Sequence, residues 1–266
     1  MDYCFSYDNG VIGMPDIQAE YFDGMQIWND TCAVAAESSL IRQFGFDISE
    51  GEAAYISASN GWYQPGGGTS PDVIGNLMDL FDIDNHTVMN ASLSDLAQEL
   101  SQGHGVIVGV RSDQLWDQGA GFELKNFICK ALGIDTSEYF PADHAIVVTG
   151  LDLSDPDNPM VLINDSGVPN GIAQAYPLDR FMDAWENSDF YYTATNDTLP
   201  SMMDDMNSSE WNDINWGSWI GVGAGLSAGA FSFLETGDIE LSTEIGATTY
   251  SVIESFFSEE SFVRNI

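Results

Sequence analysis

The chain has 266 residues, enough for one full domain with a sizeable core plus an appendage, and a hydrophobic content of 44% argues against global disorder. Acidic residues number 42 against 6 basic ones, a formal net charge of -36; such a surface repels nucleic acid and anionic lipid headgroups and argues against a phosphate-binding role. The carboxylates spread along the whole chain, so the charge reads as solubility in a salty environment in preference to a local patch recruiting a basic substrate.

The N-terminus, MDYCFSYDNG, lacks a basic start and an apolar core, so no ordinary secretory signal is expected. Cytoplasmic residence is the default, with export that needs no cleaved signal left open. Asp30 and Thr31 are placed to cap a helix from about Cys32 to Phe44, with Ala33, Ala36, Leu40, Ile41 and Phe44 on its apolar face and Gly45 at its end. Ser49 followed by Glu52 is a capping box for a second helix. Ser70 with Pro71 opens a third, carrying Val73, Leu77, Leu80 and Phe81, and Leu93 to Leu100 suggests a fourth.

The pattern then changes to short β-rich runs. These are Gly105 to Val110 (GVIVGV), Ala145 to Gly150 (AIVVTG) and Met160 to Asn164 (MVLIN). An amphipathic helix from Pro177 to Trp185 and a strand from Phe190 to Thr195 follow. Helices first and strands after indicate an α+β fold over residues 1–197. Residues 198–215 read as an acidic linker, and 216–266 as a glycine-rich C-terminal extension.

Cys32 is the candidate nucleophile. At a helix start, unpaired N–H groups and the positive end of the dipole stabilise a thiolate, which is the reactive species. Gln26, six residues upstream in QIWNDTC, is placed to set its amide beside the backbone N–H of Cys32, so that two donors converge on an oxyanion. Of three histidines, His144 has the best context for a base, in ADHAIVVTG at the mouth of a strand. Its second ring nitrogen needs an orienting acceptor: Asp165 is suited by position, and Asn164 is the runner-up. His86 and His104 read as loop or turn histidines, and Cys4 and Cys129 as structural.

No cofactor or metal is expected. There is no CxxC pair, and three scattered cysteines make no disulfide framework. Gly66 to Ser70 lacks the lysine of a phosphate loop, and its glycines suit a tight turn. Asp152, Asp155, Asp157 and Asn158 make an acidic turn without EF-hand spacing.

The order Gln, Cys, His, Asp resembles papain-like cysteine peptidases. Q-x5-C-A, DHAIVVTG, INDSG, YPLDRFMDAW and GWYQPGGGTS resemble more specifically the stand-alone members of the bacteriocin-processing peptidase family, over roughly residues 20–195. That family cleaves leader peptides after a double glycine. The resemblance implies a papain-like α+β fold and hydrolysis of a peptide or protein substrate, with small or glycine residues before the cut. It implies Gln26 as the oxyanion residue, Cys32 as nucleophile, His144 as base and Asp165 as orienter. The sequence differs at Thr31-Cys32-Ala33, where many transporter-linked members have Asp-Cys-Gly, and it carries no six-helix membrane region or Walker motif. Other acyl transfer by the same residues, a silent peptide-binding module and a membrane-associating protein are the alternatives.

The uncharged stretch from Trp216 to Leu234 has glycines at 217, 221, 225 and 229, a spacing that forms a smooth face on a helix. Such a face packs against another helix within the protein or an oligomer, or associates with a membrane; an order-poor or strand segment is the third reading.

Overall fold

The structure is a computed structural model, which describes residues 10–116 and 141–200. Residues 216–234, Cys4 and Cys129 lie outside the described residues, as does the linker beyond residue 200. In chain order the elements are β1 (Val11–Gly13), α1 (Pro15–Ala19), α2 (Cys32–Gln43), α3 (Glu50–Ser59), β2 (Tyr63–Gln64) and β3 (Gly68–Thr69). A 3-10 turn (Pro71–Val73), α4 (Asn76–Asp79), β4 (Asn85–Val88), α5 (Leu93–Ser101), β5 (Val106–Val110) and α6 (Ser112–Trp116) follow. Then come β6 (His144–Asp152), β7 (Met160–Asn164), β8 (Gln174–Pro177), α7 (Leu178–Glu186) and β9 (Tyr192–Thr195).

Among the described residues, seven strands form one antiparallel sheet in the order β4-β9-β5-β6-β7-β8, with β1 also on β6; β2 and β3 make a separate hairpin. β6 is the longest strand because it serves two partners in succession on one side. Its first part, His144 to Val148, pairs with β5, and Gly150 to Asp152 pairs with β1. Helices cover both faces, which gives a mixed α+β architecture. Ile107, Ala145 and Val147 pack with α2, α3 and α4; Val106, Val108, Val110, Ile146 and Val148 pack with α5 and α7. Burial on both faces is why these strands read as unbroken apolar runs rather than as alternating ones.

α2 is buried nearly all round, not along the single stripe its spacing suggested, because it lies between the sheet and the α3–α4 pair. Its run of small residues, Ala33 to Ser39, lets those layers approach. Thr31 is its N-cap residue, but neither Thr31 nor Asp30 caps it through a side chain. Both side chains are taken elsewhere: Thr31 Oγ1 donates to Trp28 O and to the Glu50 carboxylate, and Asp30 accepts from Tyr63 OH and Gly66 N. The Ser49–Glu52 capping box is present, and a second one, Ser92–Asp95, opens α5.

The helix expected from Ser70 to Phe81 is broken in two. Gly75 has φ of +108°, a left-handed conformation that ends the 3-10 turn before α4 begins. The last strand starts at Tyr192 rather than Phe190, since Asp189 and Phe190 have positive φ. His86 is not a loop residue but part of β4, paired with Ala194, with Nδ1 on Asn196. His104 stands in the turn before β5, its Nδ1 on Glu99 Oε2 at 2.5 Å. In the acidic turn, Asp152 and Asp155 accept from the backbone N–H groups of Ser154 and Asp157.

Candidate active site

Three chain segments meet at one end of the sheet. Cys32 is the first residue of α2, and His144 is the first of β6. Asp165 directly follows β7, the neighbour of β6. Antiparallel pairing therefore brings the start of β6 beside the end of β7. His144 Nε2 lies 2.7 Å from Asp165 Oδ1, with the histidine 8% exposed and the aspartate fully buried. The Cys32 thiol lies close enough to His144 for the imidazole to lower it. With Nε2 taken by Asp165, Nδ1 is the ring nitrogen not engaged by the carboxylate.

The electrostatics of the pair agree in direction. Burial pushes the Cys32 thiol up, but the hydrogen bond and charge of His144, aided by the backbone N–H groups of Ala145 and Ala33, outweigh it and hold the thiol below its ordinary range. Burial pulls His144 down, yet the Asp165 hydrogen bond, the contact with Cys32 and the two negative charges raise it to about 9. Asp165 is raised by burial but brought below its usual value by His144, Trp116 Nε1 and the Gly167 N–H. The arrangement favours a thiolate–imidazolium pair over a neutral thiol and imidazole at neutral pH.

Asp165 is anchored on all sides. Its Oδ2 accepts from Trp116 Nε1 at 2.7 Å, and its Oδ1 also accepts from Gly167 N at 2.8 Å. Asn164 is occupied elsewhere: its Nδ2 donates to Gln18 O and its Oδ1 accepts from Ala173 N. The geometry thus separates two neighbours that the sequence left as alternatives.

Gln26 sits on the loop leading to Cys32. Its Nε2 donates to Trp28 O at 2.7 Å and its Oε1 accepts from Ser166 Oγ at 2.9 Å. That loop is clamped by the buried Glu50, which accepts from Ile27 N and Thr31 Oγ1. The backbone N–H of Cys32, at the first helical position, has no partner within its helix.

Three further residues shape the centre. Trp116 stacks edge-on to the His144 ring, with centroids 5.0 Å apart, while its indole N–H holds Asp165. Asp143, next to His144, ties α6 in place by accepting from Ser112 N and Oγ. Gly167 lies where a Cβ would come within 2.6 Å of Trp116 and 2.9 Å of His144 Cε1. Trp116 belongs to no motif, whereas Asp143 opens DHAIVVTG and Gly167 closes INDSG, motifs that gave neither residue a role. Among the described residues no group of histidine, cysteine and carboxylate side chains is arranged to hold a metal ion.

A family model described as "Peptidase_C39 like family" matches residues 17–216. Uncharacterised proteins of Mycobacterium bovis and Mycobacterium tuberculosis are each 31% identical over 109 residues, which is 41% of this chain and 41% of theirs. The chain therefore spans about two fifths of the length of the curated relatives it matches. A crystal structure of a protein from Bacillus anthracis described as a C39-like peptidase aligns with a TM-score of 0.45 at 10% identity, over 70% of this chain and 96% of that one.

Proposed function

The chain belongs to the Peptidase_C39 like family, and we propose that it is a cysteine peptidase that cuts peptide bonds through Cys32, His144 and Asp165, with Gln26 as an oxyanion donor. The observation that carries this reading is the buried His144–Asp165 hydrogen bond, 2.7 Å long, with the half-buried Cys32 thiol at the helix start held below its ordinary range by His144. In it, the Cys32 thiolate adds to the scissile carbonyl carbon. Negative charge gathers on the carbonyl oxygen, where the Cys32 backbone N–H and the Gln26 amide N–H converge. The His144 imidazolium passes its proton to the leaving amine as the C–N bond breaks, leaving a thioester on Cys32. Neutral His144 then takes a proton from water, whose oxygen adds to the thioester; collapse releases the acid and restores the pair. Asp165 stays ionised throughout and holds the imidazole by Nε2.

The net charge of -36 bears on the substrate class. A neutral or basic peptide approaches this surface more readily than an acidic one. The test is labelling by a peptidyl chloromethyl ketone ending in Gly-Gly, followed by peptide mapping. The adduct is expected on Cys32 and is expected to be lost in Cys32→Ala and strongly slowed in His144→Ala. An adduct confined to Cys4 or Cys129, or equal labelling of His144→Ala and the unmodified chain, would overturn the assignment.

A further inference from the structure

The Gln26 side chain is held the same way round by two fixed neighbours. Its Nε2 end lies 2.7 Å from the Trp28 carbonyl oxygen, which only accepts, so that end must be the donor. The opposite end is then the carbonyl Oε1, and the Ser166 hydroxyl 2.9 Å away must donate to it. The main chains are joined as well, since Gln26 N donates to Ser166 O at 2.9 Å. Ser166 is 2% exposed and directly follows Asp165.

We propose that Ser166 is a positioning residue for the reaction: its hydroxyl fixes the amide of Gln26 so that the second N–H of Nε2 stays directed at the developing oxyanion. The inference rests on the peptidase reading above. The torsion that turns a glutamine amide is broad and roughly two-fold, so one contact does not define its angle. Trp28 O restrains the nitrogen end, and Ser166 supplies the second fixed point. The Ser166 hydroxyl has the right partner for this task because it is buried and its acceptor is Gln26 itself, with no water needed between them.

One short segment then sets both halves of the chemistry. Asn164 ties it to Gln18 O and Ala173 N, Asp165 holds the base, and Ser166 holds the oxyanion donor.

The experiment compares two reactions of Cys32 in the full chain, with Cys32→Ala as background. Turnover of p-nitrophenyl acetate passes through an oxyanion; alkylation by iodoacetamide is displacement at a saturated carbon and does not. In Ser166→Ala and Ser166→Gly, ester kcat is expected to fall roughly tenfold, within the roughly hundredfold or greater loss expected for Gln26→Ala. The iodoacetamide rate is expected to hold, and Ser166→Thr to restore ester turnover to within a few-fold. The double variant Gln26→Ala/Ser166→Ala is expected to be no slower than Gln26→Ala alone, as two members of one unit are not additive. Full ester turnover in both hydroxyl-deleting variants would overturn the inference. So would equal loss in both reactions, which marks a residue that holds the fold, or additive losses in the double variant. If the unmodified chain is alkylated at Cys32 yet does not turn over the ester, the oxyanion role falls while the thiolate stands. If it does neither, the peptidase reading fails and this inference with it.

Discussion

Asp165→Asn keeps the size of a fully buried side chain and removes its charge. The carboxylate accepts three hydrogen bonds, from His144 Nε2 at 2.7 Å and Gly167 N at 2.8 Å on Oδ1, and from Trp116 Nε1 at 2.7 Å on Oδ2. An asparagine amide has one accepting end. With its oxygen toward His144 and Gly167, its NH2 faces the Trp116 N–H; reversed, it faces both other donors. The first orientation loses less, and one buried donor left unpaired costs about 1–3 kcal/mol of stability. The larger effect is on protonation. His144 is held at about 9 against its own burial, and the Asp165 hydrogen bond is the largest cause that raises it. Loss of an adjacent opposite charge lowers such a group by roughly 1–3 pH units. Protonated His144 is the acid that the leaving amine needs, so activity is lost as pH rises through its pKa. In the unmodified chain the alkaline limb of kcat/KM for a fluorogenic peptide is expected near pH 9. In Asp165→Asn that limb is expected to move toward neutrality. An alkaline limb still near 9 in the variant would refute the reasoning.

Gly167→Ala places a Cβ 2.6 Å from Trp116 and 2.9 Å from His144 Cε1, so the ring over the base must move; kcat is expected to fall roughly ten- to a hundredfold, and a rate within two-fold of the unmodified chain would contradict it. Glu37, buried inside α2, is pushed up to about 7 by desolvation against the backbone N–H groups of Gly75, Leu77 and Met78. Its folded value exceeds its unfolded one near 4.5, so its contribution is fully present below that pH and is lost as pH rises through about 7, a cost of up to about 3 kcal/mol. Glu37→Gln keeps an oxygen for Gly75 N and Leu77 N, and its Tm relative to the unmodified chain is expected to climb between pH 5 and 8; a flat difference counts against the argument. The net charge of -36 leads to a Tm that rises from low to molar salt as repulsion is screened, and a flat or falling Tm is the contrary result.

Much of the fold was legible because local chemistry fixed it. The helix from Cys32 is set by an apolar run ending before Gly45, and α3 by its capping box. β5, β6 and β7 were marked by dense β-branched residues between turns. The strands that escaped notice are the short β1, β4 and β8, which lie at the borders of the sheet or pair over only three residues, and the two-residue strands β2 and β3 of the separate hairpin. Their sequences carry little signal because the pairing partner supplies their order. The break at Gly75 was missed because helical spacing continues across it; what overrides that spacing is Glu37, which accepts from Gly75 N and Leu77 N from inside α2.

At the site, the sequence by itself determined which residue types are present: a cysteine at a helix start, a histidine at a strand start, a glutamine upstream and two candidate orienters after the next strand. Only the tertiary structure shows which of the two meets His144. Asn164, the last residue of β7, turns to Gln18 and Ala173, and Asp165, one residue on, turns to His144. It also gave parts to Trp116, which stands in no motif, and to Ser166 and Gly167, which stand in INDSG but carried no role there. Trp116 meets Asp165 across 49 residues, and Ser166 meets Gln26 across 140. Local spacing constrains neighbours along a helix or strand, but contacts at such separations are set by sheet register and by the layers packed on it, and these exist only once the whole core has formed.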